Sequence, residues 1–312
     1  YLDGMAIPEM HQRLSAVFSR MGCDYEIIFV NDSSPDNSQE TITAISRQDP
    51  RVVGVNHSRN FGSQMAFMSG MQLATKDSVV LLDGDLQDPP EIIEKLYSKF
   101  IEGYDVVYGT REKRQMIWPL GLLYRAFYRL YSKLSDFSIP RDAGDFAIMS
   151  RRVVEHLLQF KERDLFLRGL RAYVGFQQAG IPYFRPERKY GRSTNSLRRN
   201  LLWARMAIFS STSRPLTLLT EFGFLIFVSS GLLGIFLAAS RLFFDQDPVP
   251  GIALIAVLVV FFGGLNMLGL GLIGEYVAKI VQEVKNRPAP ILESIVRNGV
   301  KMEEERDGIG RT

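Results

Sequence analysis

Residues 79–93 read VVLLDGDLQDPPEII. The apolar run 79–82 has the length and β-branched content of a buried strand, and the acidic, proline-rich stretch behind it ends that strand abruptly. In an extended segment residues i and i+2 point to the same side, so Asp83 and Asp85 face one site together. Two carboxylates held close repel each other unless a cation or hydrogen-bond donors sit between them. Hard oxygen donors of this kind suit Mg2+ or Mn2+, ions that also bind the phosphate oxygens of a substrate. The amide oxygen of Gln87 is a further candidate ligand. Asp88 is expected to cap the helix that Pro89 and Pro90 open.

Working outward, apolar runs recur at 26–30 (EIIFV), 52–55 (VVGV) and 105–108 (DVVY), with helix-like stretches near 37–48, 62–75 and 90–102. The alternation predicts a doubly wound α/β domain with a mostly parallel sheet, whose ligands bind at the carboxyl ends of the strands. Asp32 sits at such an end, placed to accept hydrogen bonds from a base or ribose. Asp36 or Ser38 reads as the cap of the next helix. In NHSRNFGSQMA, Asn60 and Gly62 lead into a helix whose N-terminus can face phosphate. A helix-like stretch at 6–20 precedes the first of these strands, and a βαβ domain normally carries a strand before such a helix. An opening strand is therefore expected ahead of residue 1.

The chain has 312 residues, 23% charged and 46% hydrophobic, a composition that excludes a disordered or fibrous protein. A formal net charge of +3 is too mild for a nucleic-acid binder. Cys23 is the only cysteine, and His11, His57 and His156 share no close spacing, which excludes an intrachain disulfide and argues against a histidine zinc site. The mean hydropathy of +0.00 fits a soluble part joined to a small membrane part. Residues 222–240 and 248–274 carry no charge over 19 and 27 positions, long enough for two membrane spans, at about 222–243 and 250–276. A short connection makes them an antiparallel hairpin. Arg198, Arg199, Arg205 and Arg214 precede it and Lys279, Lys285 and Arg287 follow it, whereas the turn holds Asp245 and Asp247 with Arg241 at its edge. The positive-inside rule places that turn outside, and the large domain and both termini in the cytoplasm. Residues 114–135 are amphipathic, with Arg125, Arg129 and Lys133 in one basic stripe, and residues 196–213 have a similar mix around Trp203. Both suit interfacial helices on the cytoplasmic leaflet. The tail from Arg297 onward reads as polar and solvated. The expected organisation is an α/β domain (1–195), a juxtamembrane segment (196–221), the hairpin (222–278) and a cytoplasmic C-terminal segment (279–312).

The segments VNDSSPDNS, RNFGSQMAFMSGMQLA and LLDGDLQDPPEII resemble the nucleotide-sugar domain of family 2 glycosyltransferases. Within it they are similar to the polyprenyl-phosphate glycosyltransferases, the group of dolichyl-phosphate mannose synthase and bactoprenol glucosyltransferase. DAGDFAIMSRRVVEHL (142–157), RPERKYGRSTNSLRR (185–199) and GEYVAKIVQEVKNRP (274–288) extend the likeness over nearly the whole chain. The family's opening strand with its P-x-Y-N-E segment is absent from this sequence. The resemblance implies a GT-A-like domain and makes Asp32 and Asn60 nucleotide-sugar contacts, the former to uridine. It makes Asp83 a nucleotide or metal-shell residue, and Asp85 and Gln87 metal ligands that bridge to the diphosphate. Arg111, in YGTR, faces the acceptor phosphate. Arg188, Gly191 and Ser193 match the family's R-x-x-G-x-S loop over the phosphates, with Arg125 and Arg129 adding basic contacts at the lipid surface. Asp145 matches an acceptor-side residue near the sugar.

The implied reaction is transfer of a hexose, glucose on the branch resembled, from a UDP-sugar to undecaprenyl or another polyprenyl phosphate at the inner membrane, with inversion. Mannose or amino-sugar transfer is the alternative within the family, and transfer to a glycan acceptor is the runner-up. The same resemblance implies a homo-oligomer that feeds a downstream flippase and a second glycosyltransferase. A membrane-tethered signalling module with Asp83 as phosphate acceptor would not need DLQDPPE or a lipid-facing basic loop.

Overall fold

The computed structural model describes residues 3–111, 143–162, 165–186 and 252–303, together with 216, 219–226, 228–229, 232, 235–236 and 239. Arg125, Arg129, Lys133, Arg188, Gly191 and Ser193 lie outside the described residues, as do the amphipathic segments 114–135 and 196–213 and the turn 241–247. The chain forms two units. The first draws on Tyr1–Ser132, Phe137–Leu202 and Arg287–Thr312, the second on Lys133–Asp136 and Trp203–Asn286.

The first unit opens with α1 (Ile7–Met21), started by Pro8 in its first turn and stopped by Gly22 in the left-handed region (φ 62°). Ile7, Met10, Leu14 and Val17 recur at helical spacing and are the residues it buries. Then follow β1 (Ile27–Asn31), α2 (Ser38–Gln48), β2 (Val52–His57), α3 (Ser63–Leu73), β3 (Ser78–Leu81), α4 (Ile92–Phe100) and β4 (Val106–Arg111). Each expected strand and helix of this stretch is present within a few residues of its predicted bounds. After residue 142 come β5 (Ala143–Ser150), α5 (Arg151–Gln159), α6 (Leu167–Tyr173) and β6 (Gln178–Tyr183), and the unit closes with β7 (Leu292–Arg297) and β8 (Val300–Met302).

The described strands form two four-stranded sheets, ordered β1-β2-β7-β8 and β3-β5-β4-β6. The expectation of a mostly parallel sheet is corrected here. Among the described pairings only β1–β2 and β4–β6 are parallel; β5 runs antiparallel to both β3 and β4, and β7 runs antiparallel to both β2 and β8. The strands responsible, β5 and β7, enter from outside the regular βα alternation, so the crossover rule that makes neighbours parallel does not govern them. In the second sheet alternate residues serve opposite faces. Val106, Tyr108, Ala147 and Met149 join one core cluster with Met71 and Leu157, whereas Val107, Phe146 and Ile148 join another with Leu14, Ile93 and Leu96. A sheet apolar on both sides is what helices on both faces require.

In the first sheet register is fixed by a buried polar chain. Asn31 Nδ2 donates to Asn56 Oδ1 (3.0 Å), and Asn56 Nδ2 donates to Ser294 Oγ (3.0 Å), linking β1, β2 and β7. A one-residue slip of any strand would leave these groups buried and unpaired. The β7–β8 connection is Asn298-Gly299, with φ of 52° and 74°, the two-residue turn that Asn-Gly favours. The tail expected to be polar, solvated and partly disordered from Arg297 onward instead turns and pairs through Met302 as β8, whose three residues are exposed.

In the second unit α7 (Ile252–Val284) runs 33 residues, about 50 Å at helical rise, and continues past the expected end of the second span. Its portion Phe262–Val284 is long and apolar enough to cross a membrane, and none of that apolar stretch is buried. Every described residue between 216 and 239 is helical as well. Phe224, Leu225, Ile235, Phe236, Val259 and Met267 are all exposed large apolar side chains. Surfaces of this kind mark contact with a membrane or another protein.

Gly109 of β4 lies under the Tyr183 ring of β6; a Cβ there would stand 2.6 Å from Tyr183 Cε1 and 3.3 Å from Phe146 Cδ1. Gly109→Ala is expected to displace that ring and to destabilise the domain by about 1–3 kcal/mol. Thermal unfolding of the full chain in nanodiscs checks this, and an unchanged melting temperature would contradict the packing described.

Candidate functional site

Strand β3 delivers the acidic segment into a sharp turn. Leu86, between Asp85 and Gln87, has φ 58°, a left-handed conformation that costs a branched residue roughly 1–2 kcal/mol. Leu86 is also 4% exposed and packs in the α1–α4 core, and burying a leucine contributes about 1.5–3 kcal/mol, enough to offset the strain. The apolar anchor thereby holds the polar residues on either side of it. Asp85 is buried and accepts a hydrogen bond from the Gln87 N–H (3.1 Å), and Gln87 Nε2 donates to the Pro186 carbonyl (3.2 Å).

Asp88 is not a helix cap. The helix begins at Ile92 with Glu91 as its N-cap, and no side chain caps it. Asp88 is buried instead and accepts a hydrogen bond from the Tyr183 hydroxyl. Arg185 reaches all three acids: its Nη2 is 3.8 Å from both Asp83 Oδ2 and Asp85 Oδ2, and its Nε is 3.5 Å from Asp88 Oδ1. Crowding acts most strongly on Asp83. Burial, with the like charges of Asp88, Asp145 and Asp85, pushes its carboxyl up to about 7, against the pull of Arg185. The Asp83 side chain keeps 36% exposure.

Arg111, the last residue of β4, packs against the backbone of Gly144, where a Cβ would stand 3.3 Å from its Nη2. Burial opposes its charge, but a hydrogen bond with Tyr183 and the carboxylates of Asp88 and Asp83 more than offset this, and its pKa is raised. The Nε groups of Arg111 and Arg185 are both buried without a hydrogen-bond partner. Two such donors beside one acidic cleft mark a place that favours an added anion.

On the far side of Arg111, Asp145 of β5 takes Arg168 Nε (3.1 Å) and Gln64 Nε2 (3.4 Å). Arg171, buried one helical turn from Arg168, donates to the Gly144 carbonyl (3.3 Å) and lies 4.9 Å from the Tyr108 ring centroid. Burial brings its pKa down to about 10, with Arg168 acting in the same direction and Asp145 against it.

Asp32 sits at the end of β1 and is buried. Its Oδ1 accepts from the Phe61 N–H (2.7 Å) and lies 2.8 Å from His57 Nδ1, and its Oδ2 accepts from the Gly62 N–H (2.7 Å). Burial alone would raise its carboxyl, but the bonds from His57, Phe61 and Gly62 hold it below the ordinary range. A carboxylate so held fixes the loop that opens α3, and any contact to a base or ribose would use its remaining lone pairs. His57 is fully buried, with Nε2 2.8 Å from Ser69 Oγ. Asn60 is exposed in the same loop.

The structure therefore brings Asp83, Asp85, Gln87, Arg111 and Asp145 into one region, while Asp32, at the end of β1, holds the loop that carries Asn60. Sequence reasoning missed Asp88, Tyr183, Arg185, Gln64, Arg168 and Arg171. Only the two arginines three apart in FLRGLRAY carried a local signal, a shared helix face. Among the described residues no group of three His, Cys, Asp or Glu side chains is arranged to enclose a metal ion. The donor set nonetheless fits Mg2+ or Mn2+. Such ions take one or two carboxylates and complete their shell with water and substrate phosphates, and here a guanidinium nitrogen already lies 3.8 Å from both Asp83 and Asp85.

Comparison with known proteins gives the family. Residues 6–158 match the family Glycosyl transferase family 2. The chain is 38% identical to the uncharacterized glycosyltransferase YkcC of Bacillus subtilis, over 94% of this chain and 91% of that one. It is 36% identical to the SfII prophage-derived bactoprenol glucosyl transferase of Shigella flexneri, over 92% and 93%. The prophage bactoprenol glucosyl transferase homolog of Escherichia coli K12 is 33% identical over 93% and 95%. A likeness of this extent makes the chain a member of glycosyl transferase family 2, within the group of its polyprenyl-phosphate glycosyltransferases.

Proposed function

We propose that this chain transfers a hexose, glucose by its likeness to bactoprenol glucosyl transferases, from a UDP-sugar to a polyprenyl phosphate, inverting the anomeric centre, at the cytoplasmic face of the inner membrane. One observation carries the reading: an acidic cluster at a strand's carboxyl end is flanked by two arginines whose buried Nε groups lack a hydrogen-bond partner, in a chain similar over more than nine-tenths of its length to a bactoprenol glucosyl transferase.

In this reading Asp85 and Asp83, with Gln87, hold Mg2+ or Mn2+, which when bound neutralises charge that builds on the diphosphate leaving group. Asp85 is pre-oriented for this by the Gln87 N–H. Asp32, with Asn60 beside it, meets the nucleoside. Arg111, braced on Gly144, meets the acceptor phosphate, and Arg188 and Ser193 belong to the same substrate. A phosphate monoester has a second pKa near 6 and is largely dianionic at pH 7, so it needs little help from a general base. Asp145, held by Arg168 and Gln64, then positions the acceptor or the sugar. The product, a sugar on a lipid carrier, calls for a flippase and a second transferase downstream.

Topology supports the membrane part of the proposal. Strand β7 follows α7 in the chain yet pairs with β2 in the first unit. A folded body lies on one side of a membrane, so the chain between residues 202 and 287 must cross an even number of times. With α7 as one crossing, the other falls to the apolar stretch 222–240, giving the hairpin and the cytoplasmic side that the flanking arginines favour.

Three outcomes are expected. Asp85→Asn lowers turnover by about 100-fold or more without loss of fold, and chelator silences the wild type reversibly; full activity of metal-stripped protein in chelator would sink the metal assignment. A cysteine placed at Gln246, with Cys23 removed, is labelled by an impermeant reagent in intact cells; labelling only after permeabilisation would reverse the orientation. Arg111→Lys depresses turnover toward the lipid at saturating donor with little change in UDP-sugar affinity, because lysine cannot reproduce a two-pronged phosphate contact. Steady-state kinetics in nanodiscs decide this, and lost donor binding with normal lipid kinetics would assign Arg111 to the other substrate.

A further inference from the structure

We propose that Arg185 is a resident counter-cation of the acidic cleft, which competes with the divalent ion for Asp83 and Asp85 and so makes metal binding depend on the nucleotide. The inference rests on the metal-dependent reading above and concerns a residue to which that reading assigns no metal or substrate.

Three features carry it. First, the guanidinium is the shared cation of three acids, with approaches of 3.8, 3.8 and 3.5 Å to Asp83, Asp85 and Asp88. Two of those acids are the residues whose oxygens suit the ion. A guanidinium and a dication cannot both sit between the same carboxylates, since each repels the other. Second, the contacts are loose. An arginine bound for good to a carboxylate makes short, forked, charge-assisted hydrogen bonds. Elsewhere in this chain Arg13 does so with Glu91, at 2.9 and 2.6 Å, and Arg152 with Asp105, at 2.7 and 2.6 Å. Arg185 makes none of that length to its three acids, and its Nε is buried without a hydrogen-bond partner. It neutralises the cleft without being locked there. Third, Arg185 is coupled to the metal-binding turn through the backbone: the carbonyl of the next residue, Pro186, accepts the Gln87 amide. Movement of Arg185 and reorientation of Gln87 are therefore linked.

The energetic consequence follows from competition. Without nucleotide, an entering ion must displace a positive charge already in place, which weakens its binding. With a diphosphate present, the displaced guanidinium gains an anion of its own, and the opposition is relieved. Arg185 thus lowers metal affinity in the empty enzyme and couples metal to donor.

The test is Mn2+ binding by electron paramagnetic resonance and calorimetry, on the full chain in nanodiscs, with and without UDP. Removing the competitor by Arg185→Gln is expected to tighten Mn2+ binding without UDP by about tenfold, within the usual range of coupling between two ligands. It should also shrink the gain that UDP gives. Arg185→Lys keeps the charge and should stay near wild type. If Arg185→Gln folds only when Mn2+ is added, the expectation is also met, because the acids then lean on the added ion. Equal or weaker Mn2+ binding by Arg185→Gln, or a fold lost with and without Mn2+, overturns the proposal while the metal reading stands. Absence of Mn2+ binding by the wild type even with UDP overturns both.

Discussion

Negative charge gathered in a small space is the constraint around which the first unit is organised. Asp83, Asp85 and Asp88 leave β3 within six residues, and Asp145 adds its field from β5. Carboxylates that close are tolerated only where cations and donors meet them, and the surrounding elements supply these one by one. Strand β6 brings the Tyr183 hydroxyl and, just beyond it, Arg185. Strand β4 ends in Arg111. Even the glycines serve this end, since Gly109 and Gly144 leave room for Tyr183 and Arg111 to lie against bare backbone.

The remainder of the site is rigid for a different reason. Asp32 collects two backbone N–H groups and a buried histidine, so the loop from Ser58 to Gly62 is tied to β1 and not to its own helix alone. Asn31, Asn56 and Ser294 do the same for three strands at once. Buried polar links cost stability if any partner is lost, and in exchange they admit only one register.

The βα half of the domain was legible because it is local. Each of the runs at 27–31, 52–57, 78–81 and 106–111 is apolar and bounded by turn residues, and each intervening helix shows its own period. The acidic turn was legible too, since Asp83 and Asp85 follow such a run directly. Strand β5 was not, as AGDFAIMS has a glycine and an acid at its second and third positions and gains strand character only between β3 and β4. Strands β7 and β8 carried a readable sign, Asn298-Gly299 between two short apolar runs, that was overshadowed by the charge of the tail. Asp88 was misread because a carboxylate before two prolines has the local pattern of a cap, and only the distant Tyr183 and Arg185 reveal its true partners. Arg185 and Arg168 meet their acids across 97 or more and 23 positions of chain respectively, distances at which spacing says nothing.

The return of β7 to β2 also sets an order of events in the life of the chain. Strand β2 is complete by residue 57, yet the neighbour that covers its second edge is not synthesised until residues 292–297, after the whole apolar helix has been made. Through that interval β2 has an open edge, the kind of surface that invites pairing with other chains. Assembly of the sheet must therefore wait for the apolar segment to find its place. A chain whose apolar segment keeps β7 from reaching β2 leaves that edge open.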